Sequence, residues 1–206
     1  MMVNPPGVWP ATRPGTAPAM SLPPLPPVPG VDDELWRPGG SSVLDVLAAE
    51  HRLIVGLAAR LRDTGDPVTR EVLVATVSRH LSAEEQYLYP MIRKVLPDGA
   101  PVAGGELAAD QALRRLLGAD DPAALHAALH SHAARLDGPL AARLADACGE
   151  NDLIRLGNRV LIAAEAAPTR PHPSLPLTPP ANKLVAPVVG LVDKVRDLVS
   201  GRPTYA

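Results

Sequence analysis

The sequence contains few aromatic residues and a single cysteine. Of its 206 residues only 2% are aromatic and phenylalanine is absent, so a packed core must be built from Leu, Val, Ile and Ala. This composition favours helices over sheets. Because Cys148 is the single cysteine, an internal disulfide and a thiolate metal cluster are both excluded. We therefore expect a helical protein of a reducing compartment, with a cytoplasmic location.

An excess of positive charge and a long apolar run are also missing. The chain has 20 Lys and Arg against 22 Asp and Glu, a net charge of −2, and lacks the clustered basic residues that neutralise phosphates. Its apolar runs are shorter than the roughly 18 residues that span a bilayer. Prolines interrupt the N-terminal region where a signal peptide needs a continuous apolar stretch. Neither nucleic acid nor a membrane is an expected partner.

Proline divides the chain into three parts. Residues 1–40 contain 11 of the 25 prolines, which predicts a Pro-rich disordered tail. Met20 lies in this tail and is an alternative start of the protein. Residues 41–148 show helical periodicity, and residues 149–206 form an extension with a short helix, a Pro-rich linker and a final amphipathic helix.

Four segments of the middle region repeat apolar residues every three or four positions. Ser42 is a helix-capping residue, and Asp66–Pro67 and Asp121–Pro122 are both typical of helix starts. The predicted helices run from about 42 to 62, from 66 to about 97 with a bend at Pro90, from about 105 to 117, and from 121 onward with a kink at Gly138–Pro139. Four amphipathic helices with short loops predict an all-α fold, an up-down antiparallel four-helix bundle.

Each of the four apolar stripes carries side chains that can bind metal. Buried His, Asp and Glu cost several kcal/mol unless a partner satisfies them, and a cation shared between facing helices satisfies several at once. Imidazole and carboxylate ligands without thiolate suit iron, manganese or zinc, and two ions sharing carboxylates favour iron. The candidate ligands are His51, His80, Glu84, Asp110, His132 and Asp137.

The strongest local signal is the pair His80 and Glu84. Residues four apart on a helix have Cβ atoms about 5–6 Å apart, so both side chains reach one metal. His132 and Asp137 are five apart and differ by about 140° around an α-helix, so Asp137 must turn back toward the helix seam, where it could bridge two metals.

Three alternatives remain open. Asp110 is a surface residue if the phase of its stripe differs by one position. His126 and His130 replace His132 as ligands if the register of the fourth helix is shifted, although the surrounding leucines argue against this. Tyr87 is interpreted as core packing, with a metal or redox role as the alternative.

The segments 47–51 (LAAEH) and 80–90 (HLSAEEQYLYP) resemble the hemerythrin-like (HHE cation-binding) family. The C-terminal segments 171–173 (PHP), 178–180 (TPP) and 189–197 (VGLVDKVRD) resemble the extension found in its actinobacterial type. The resemblance to the family domain covers residues 42–148. It implies a non-haem di-iron centre held by a His on helix one, a His-x-x-x-Glu on helix two, a His on helix three, and a His with a carboxylate on helix four.

Five candidates match these family positions, namely His51, His80, Glu84, His132 and Asp137. Asp110 stands where the family has the His of helix three, so the sequence leaves one or two irons open. The resemblance implies binding or processing of O2, nitric oxide or peroxide, with a peroxidase-like activity as one form. The alternatives are a metal-depleted bundle that serves as a structural or partner-binding module, and a bundle that holds iron or zinc without redox turnover.

Overall fold

A computed structural model describes residues 38–170 and four positions near the C-terminus, 189, 192, 193 and 197. Residues 38–170 are helical almost throughout and contain no strand. Two of the elements are π-helical turns, π1 and π2, each of which joins two α-helices into one continuous rod. The elements are α1 (Val43–Thr64), α2 (Pro67–Ala83), π1 (Glu84–Leu88), α3 (Tyr89–Val95), α4 (Gly99–Leu117), α5 (Pro122–Arg135), π2 (Leu136–Leu140), α6 (Ala141–Ala147) and α7 (Glu150–Ala166).

The helix starts follow the capping residues in the sequence. The Ser42 hydroxyl accepts a hydrogen bond from the Leu44 N–H at the start of α1. The Asp66 carboxylate accepts from backbone N–H groups of the first turn of α2, and Asp121 does the same for α5. The predicted starts of these three helices are therefore confirmed.

The third helix is longer than the sequence predicts. It begins at Gly99, six residues before the predicted start near 105. Pro101 falls in its first turn, where the missing N–H would have no partner within the helix in any case. Gly104 and Gly105 do not end it, because the buried side chains of Ala103 and Leu107 hold the segment against the core.

Four rods form the bundle: α1, the rod α2–π1–α3, α4, and the rod α5–π2–α6. α1 packs against α2 and α5, and α4 packs against α3 and α5, so that each rod lies between two neighbours. This arrangement confirms the predicted antiparallel four-helix bundle. The predicted helix after the bundle is also present as α7, which packs across α1 and α2 from outside.

A layer of polar side chains separates two apolar cores. On the first, third and fourth rods, the inward polar residues fall between the residues of one core and those of the other. On the second rod, His80 and Glu84 lie on either side of the boundary between the cores, which falls between Leu81 and Ala83. The first core is built by Ile54, Ala58, Leu61, Leu73, Val74, Val77, Leu81, Leu113, Leu117, Leu125 and Leu129. The second core includes Val43, Leu47, Leu88, Tyr89, Ile92, Leu107, Leu136, Leu140, Leu144 and Val160. The site thus lies at mid-height in the bundle.

The predicted tails lie outside the described residues. This applies to the Pro-rich tail up to residue 37, to the Pro-rich linker from residue 171, and to most of the final helix predicted near 181–200. Within the part that the structure describes, no helix combines the length and the apolar character needed to cross a membrane.

Candidate metal centre

Four of the predicted ligands meet in the polar layer, and we refer to them as the four-ligand cluster. His51 comes from the middle of α1, His80 from the last turn of α2, Glu84 from the first position of π1, and His132 from the last turn of α5. Their side chains are at most 2% exposed. Because all four occupy core positions of the helical repeat, packing of the two apolar cores fixes where they point.

The Nε2 atoms of the three histidines surround the Glu84 carboxylate. His51 Nε2 and His80 Nε2 lie 3.7 and 3.3 Å from Glu84 Oε1, and His132 Nε2 lies 3.3 Å from Oε2. The Nε2 atoms of His80 and His132 are 3.4 Å apart. One donor atom from each residue can be chosen so that all four lie within 4.8 Å of one another.

Each of these imidazole rings has a carboxylate at its other nitrogen. His51 Nδ1 is hydrogen bonded to Asp137 Oδ1 at 2.6 Å, and His80 Nδ1 is hydrogen bonded to Glu50 Oε2 at 2.8 Å. Asp110 Oδ1 lies 3.6 Å from His132 Nδ1. A carboxylate at the outer nitrogen fixes the orientation of a metal-binding imidazole and raises its basicity.

The donor set fits a divalent cation. His51 Nε2 and Glu84 Oε1 are buried and, among the residues described, make no hydrogen bond. Buried polar atoms without a partner are rare in folded proteins because each forfeits its hydration. Ligands about 2.1 Å from a tetrahedral ion lie about 3.4 Å apart, close to the separations around Glu84. An ion among these donors would satisfy both atoms.

Charge pairing dominates the electrostatics of the cluster. Burial lowers the pKa of His80, but the charge of Glu84 and the hydrogen bond to Glu50 outweigh it and raise the pKa to about 10. Burial acts to raise the pKa of Glu84, but His80 and His132 hold it well below its usual range. Without a cation the chain therefore keeps a protonated His80 beside an ionised Glu84.

The other two predicted ligands, Asp137 and Asp110, contact the outer nitrogens of His51 and His132. Asp110 is fully buried, whereas the Asp137 side chain is 33% exposed. Asp137 lies at the second position of π2 and contacts His51 of α1 across the bundle.

The alternative histidines of the fourth helix lie elsewhere. His126 is half-buried and its Nδ1 lies 3.2 Å from Arg62 Nη1, and His130 is exposed. Tyr87 is half-buried and packs against the second core, consistent with its interpretation as core packing.

Sequence reasoning missed three groups beside the site. The Tyr89 hydroxyl lies 3.0 Å from Glu84 Oε2. The sequence did not predict this contact, because two residues five positions apart do not lie on the same face of an α-helix. Glu50 is hydrogen bonded to His80, and its position directly before the candidate ligand His51 was the sequence feature that could have indicated a role at the site. Arg114 Nη2 donates a buried hydrogen bond to Glu85 Oε2 at 3.0 Å, and burial raises the pKa of Glu85 to about 8 despite Arg114.

Fold and site together define a class of protein, a helical bundle with a buried histidine and carboxylate cluster at mid-height. The hemerythrin HHE cation binding domain matches residues 42–156 of this chain. Since the match covers more than half of the sequence, the chain belongs to the hemerythrin HHE family. Comparisons with curated proteins and with solved structures gave no match.

Proposed function

We propose that this protein is a non-haem iron protein that binds or processes O2, nitric oxide or peroxide. The observation that carries the proposal is the convergence of three histidine Nε2 atoms on one buried carboxylate. His51, His80, Glu84 and His132 would hold the metal. Ferrous iron in such a site supplies an open coordination position for a small ligand.

The residues around the cluster support a role with small ligands. Apolar cores on both sides exclude water, which strengthens electrostatic interactions inside the site. A cavity of about 10 Å³ adjoins Asp137, the partner of His51, and has about the size of one water molecule. Its walls are apolar and consist of Leu44, Leu47, Leu88, Leu136, Leu140, Ala141 and Leu144. A ligand that enters here must be small.

Iron binding by the full chain tests the proposal directly. The protein, His80→Ala and Glu84→Ala are reconstituted anaerobically with Fe²⁺, desalted and analysed for metal. We expect iron in the parent and its loss in both variants, with helix content retained in far-ultraviolet circular dichroism. The matched control is His130→Ala, an exposed histidine of α5 that should bind like the parent.

Spectroscopy tests the small-ligand part. Nitric oxide added to the ferrous protein, and azide added after the bound iron has been oxidised to the ferric state, should each change the near-ultraviolet and visible absorption. A folded parent that retains no iron would refute the proposed function. A parent that retains iron with an unchanged spectrum would leave the protein as a metal carrier only.

A further inference from the structure

The Tyr89 hydroxyl joins two buried carboxylates at one side of the four-ligand cluster. It donates to Asp110 Oδ2 at 2.7 Å and to Glu84 Oε2 at 3.0 Å, as a shared hydrogen bond. The side chains of all three residues are fully buried. Tyr89 therefore links a member of the cluster to the carboxylate that lies behind His132.

The closest donors of the cluster are spaced like neighbouring ligands of one ion. His80 Nε2 lies 3.4 Å from His132 Nε2 and 3.3 Å from Glu84 Oε1. Neighbouring ligands about 2.1 Å from one ion are about 3.0–3.4 Å apart. His80, Glu84 and His132 can therefore bind the same ion.

The Tyr89 hydroxyl holds one oxygen of each of two carboxylates that a second ion would use, Glu84 Oε2 and Asp110 Oδ2. Glu84 Oε2 is the oxygen left to bridge, and Asp110 stands where the family resemblance implies a histidine on the third helix. Glu84 Oε2 and Asp110 Oδ2 both accept a hydrogen bond from the Tyr89 hydroxyl. The ring of Tyr89 belongs to the second core, so the hydroxyl cannot withdraw unless the ring leaves its packing.

We propose that this chain binds a single metal ion through His51, His80, Glu84 and His132, and that the Tyr89 hydroxyl, held by Asp110, occupies the place of a second ion. The inference rests on the proposed function, since it concerns the same site. Tyr89 acts as a positioning residue, because it fixes the Glu84 carboxylate and denies Oε2 to another cation.

Metal titration of the full chain tests this assignment. The parent, Tyr89→Phe and the matched control Tyr87→Phe are titrated anaerobically with Fe²⁺ and separately with Co²⁺, whose visible absorption reports each binding event. We expect one ion per chain in the parent and in Tyr87→Phe. Loss of the hydroxyl alone in Tyr89→Phe should expose Glu84 and Asp110 oxygens and allow a second, weaker ion.

X-ray absorption of the loaded parent gives an independent readout, since a single-ion site shows no metal–metal scattering. Two ions per chain in the parent, or metal–metal scattering, would overturn the proposal while leaving the proposed function intact. One ion in both the parent and Tyr89→Phe would overturn the role of the hydroxyl. A folded parent without metal would defeat the proposed function itself, and the single-ion site with it.

Discussion

The three histidines of the cluster differ most in the partner of their outer nitrogen. Asp137 and Glu50 are hydrogen bonded to His51 and His80 and are partly exposed, whereas Asp110 is buried and more distant from its histidine. A metal ligand whose ring is held by a carboxylate needs no reorientation when the ion arrives. We therefore expect the carboxylates to contribute to metal affinity through the histidines that they orient.

Removing the charge of one outer carboxylate should weaken metal binding. For Glu50→Gln we expect a loss of about 10- to 100-fold in affinity, because outer carboxylates typically contribute that much. Competition with a chelator of known affinity measures the change. Glu71→Gln, a half-buried glutamate of α2 nine residues before His80, is the control and should bind like the parent. Equal affinities in parent and Glu50→Gln would contradict a supporting role for this carboxylate.

Protons and metal compete for the same nitrogen of the cluster. The folded pKa of His80, about 10, lies above its ordinary value of 6.5. Its pairing with Glu84 and Glu50 therefore stabilises the metal-free fold fully below pH 6.5 and is lost as the pH rises toward 10. A metal must displace this proton.

We accordingly expect the apparent metal affinity to rise by about tenfold per pH unit between pH 6.5 and 8.5, as for release of one proton. Chelator competition at several pH values, at constant ionic strength, measures the slope. A flat profile would mean that His80 is already neutral in the metal-free protein.

At the scale of elements, the close approach of α7 to the start of α1 depends on a glycine. A Cβ added at Gly157 would lie well inside contact distance of the Ser41 carbonyl oxygen and of the Val43 backbone nitrogen. Both are main-chain atoms, which cannot move aside as a flexible side chain can. The extra methyl group must therefore push α7 away from α1.

Gly157→Ala should destabilise the protein by about 1–3 kcal/mol, as overpacking of a tight contact typically does. Gly56→Ala is the matched control, since a Cβ at Gly56 in α1 meets nothing within 4 Å. Alanine in an open helical position should raise stability by up to about 1 kcal/mol. Urea denaturation of the two variants measures both changes, and equal midpoints would contradict the close packing of α7.

How far the sequence predicts each element depends on whether the element follows α-helical spacing. The four helices and three of their starts follow from apolar periodicity and from capping residues such as Ser42 and Asp66. The early start of α4 was missed because Pro101 and the following glycines are usually helix breakers. The two π turns were missed because they change the spacing at Glu84 and at Asp137.

For the site, the same rule separates what was predicted from what was not. His51, His80, Glu84 and His132 lie on regular stripes, so the expectation that they face inward holds in the structure. Asp137 was expected beside His132 but contacts His51 of α1. Tyr89 follows Glu84 by five residues across π1, a spacing that α-helical periodicity does not predict. The contacts between different rods, such as Glu50 with His80, need the three-dimensional packing of the bundle.

At the scale of the whole molecule, the two apolar cores and the polar layer make different contributions. The cores stabilise the bundle with or without a metal, whereas the layer holds buried ionisable groups whose unpartnered atoms a cation would satisfy. A ligand that binds only the folded chain stabilises it by mass action.

We expect the melting temperature of the whole chain to rise with added metal. Free metal at a hundred times its dissociation constant should add about 2.7 kcal/mol to the free energy of unfolding. Calorimetry of the parent with metal and with a chelator measures this shift, and the Glu84→Ala variant should show none. A melting temperature of the parent that does not respond to metal would contradict metal binding by the folded bundle.

The two π turns have a further consequence, for the timing of local opening. A π turn replaces the regular hydrogen bonds of an α-helix, so that the Tyr89 N–H reaches back five residues to the Glu84 carbonyl. Pro90 and Pro139 each supply no amide hydrogen at these places. Amide hydrogen exchange should therefore be faster at π1 and π2 than in the flanking turns of α2 and α5. Each rod would then open first beside a residue that contacts the site, Glu84 in π1 and Asp137 in π2.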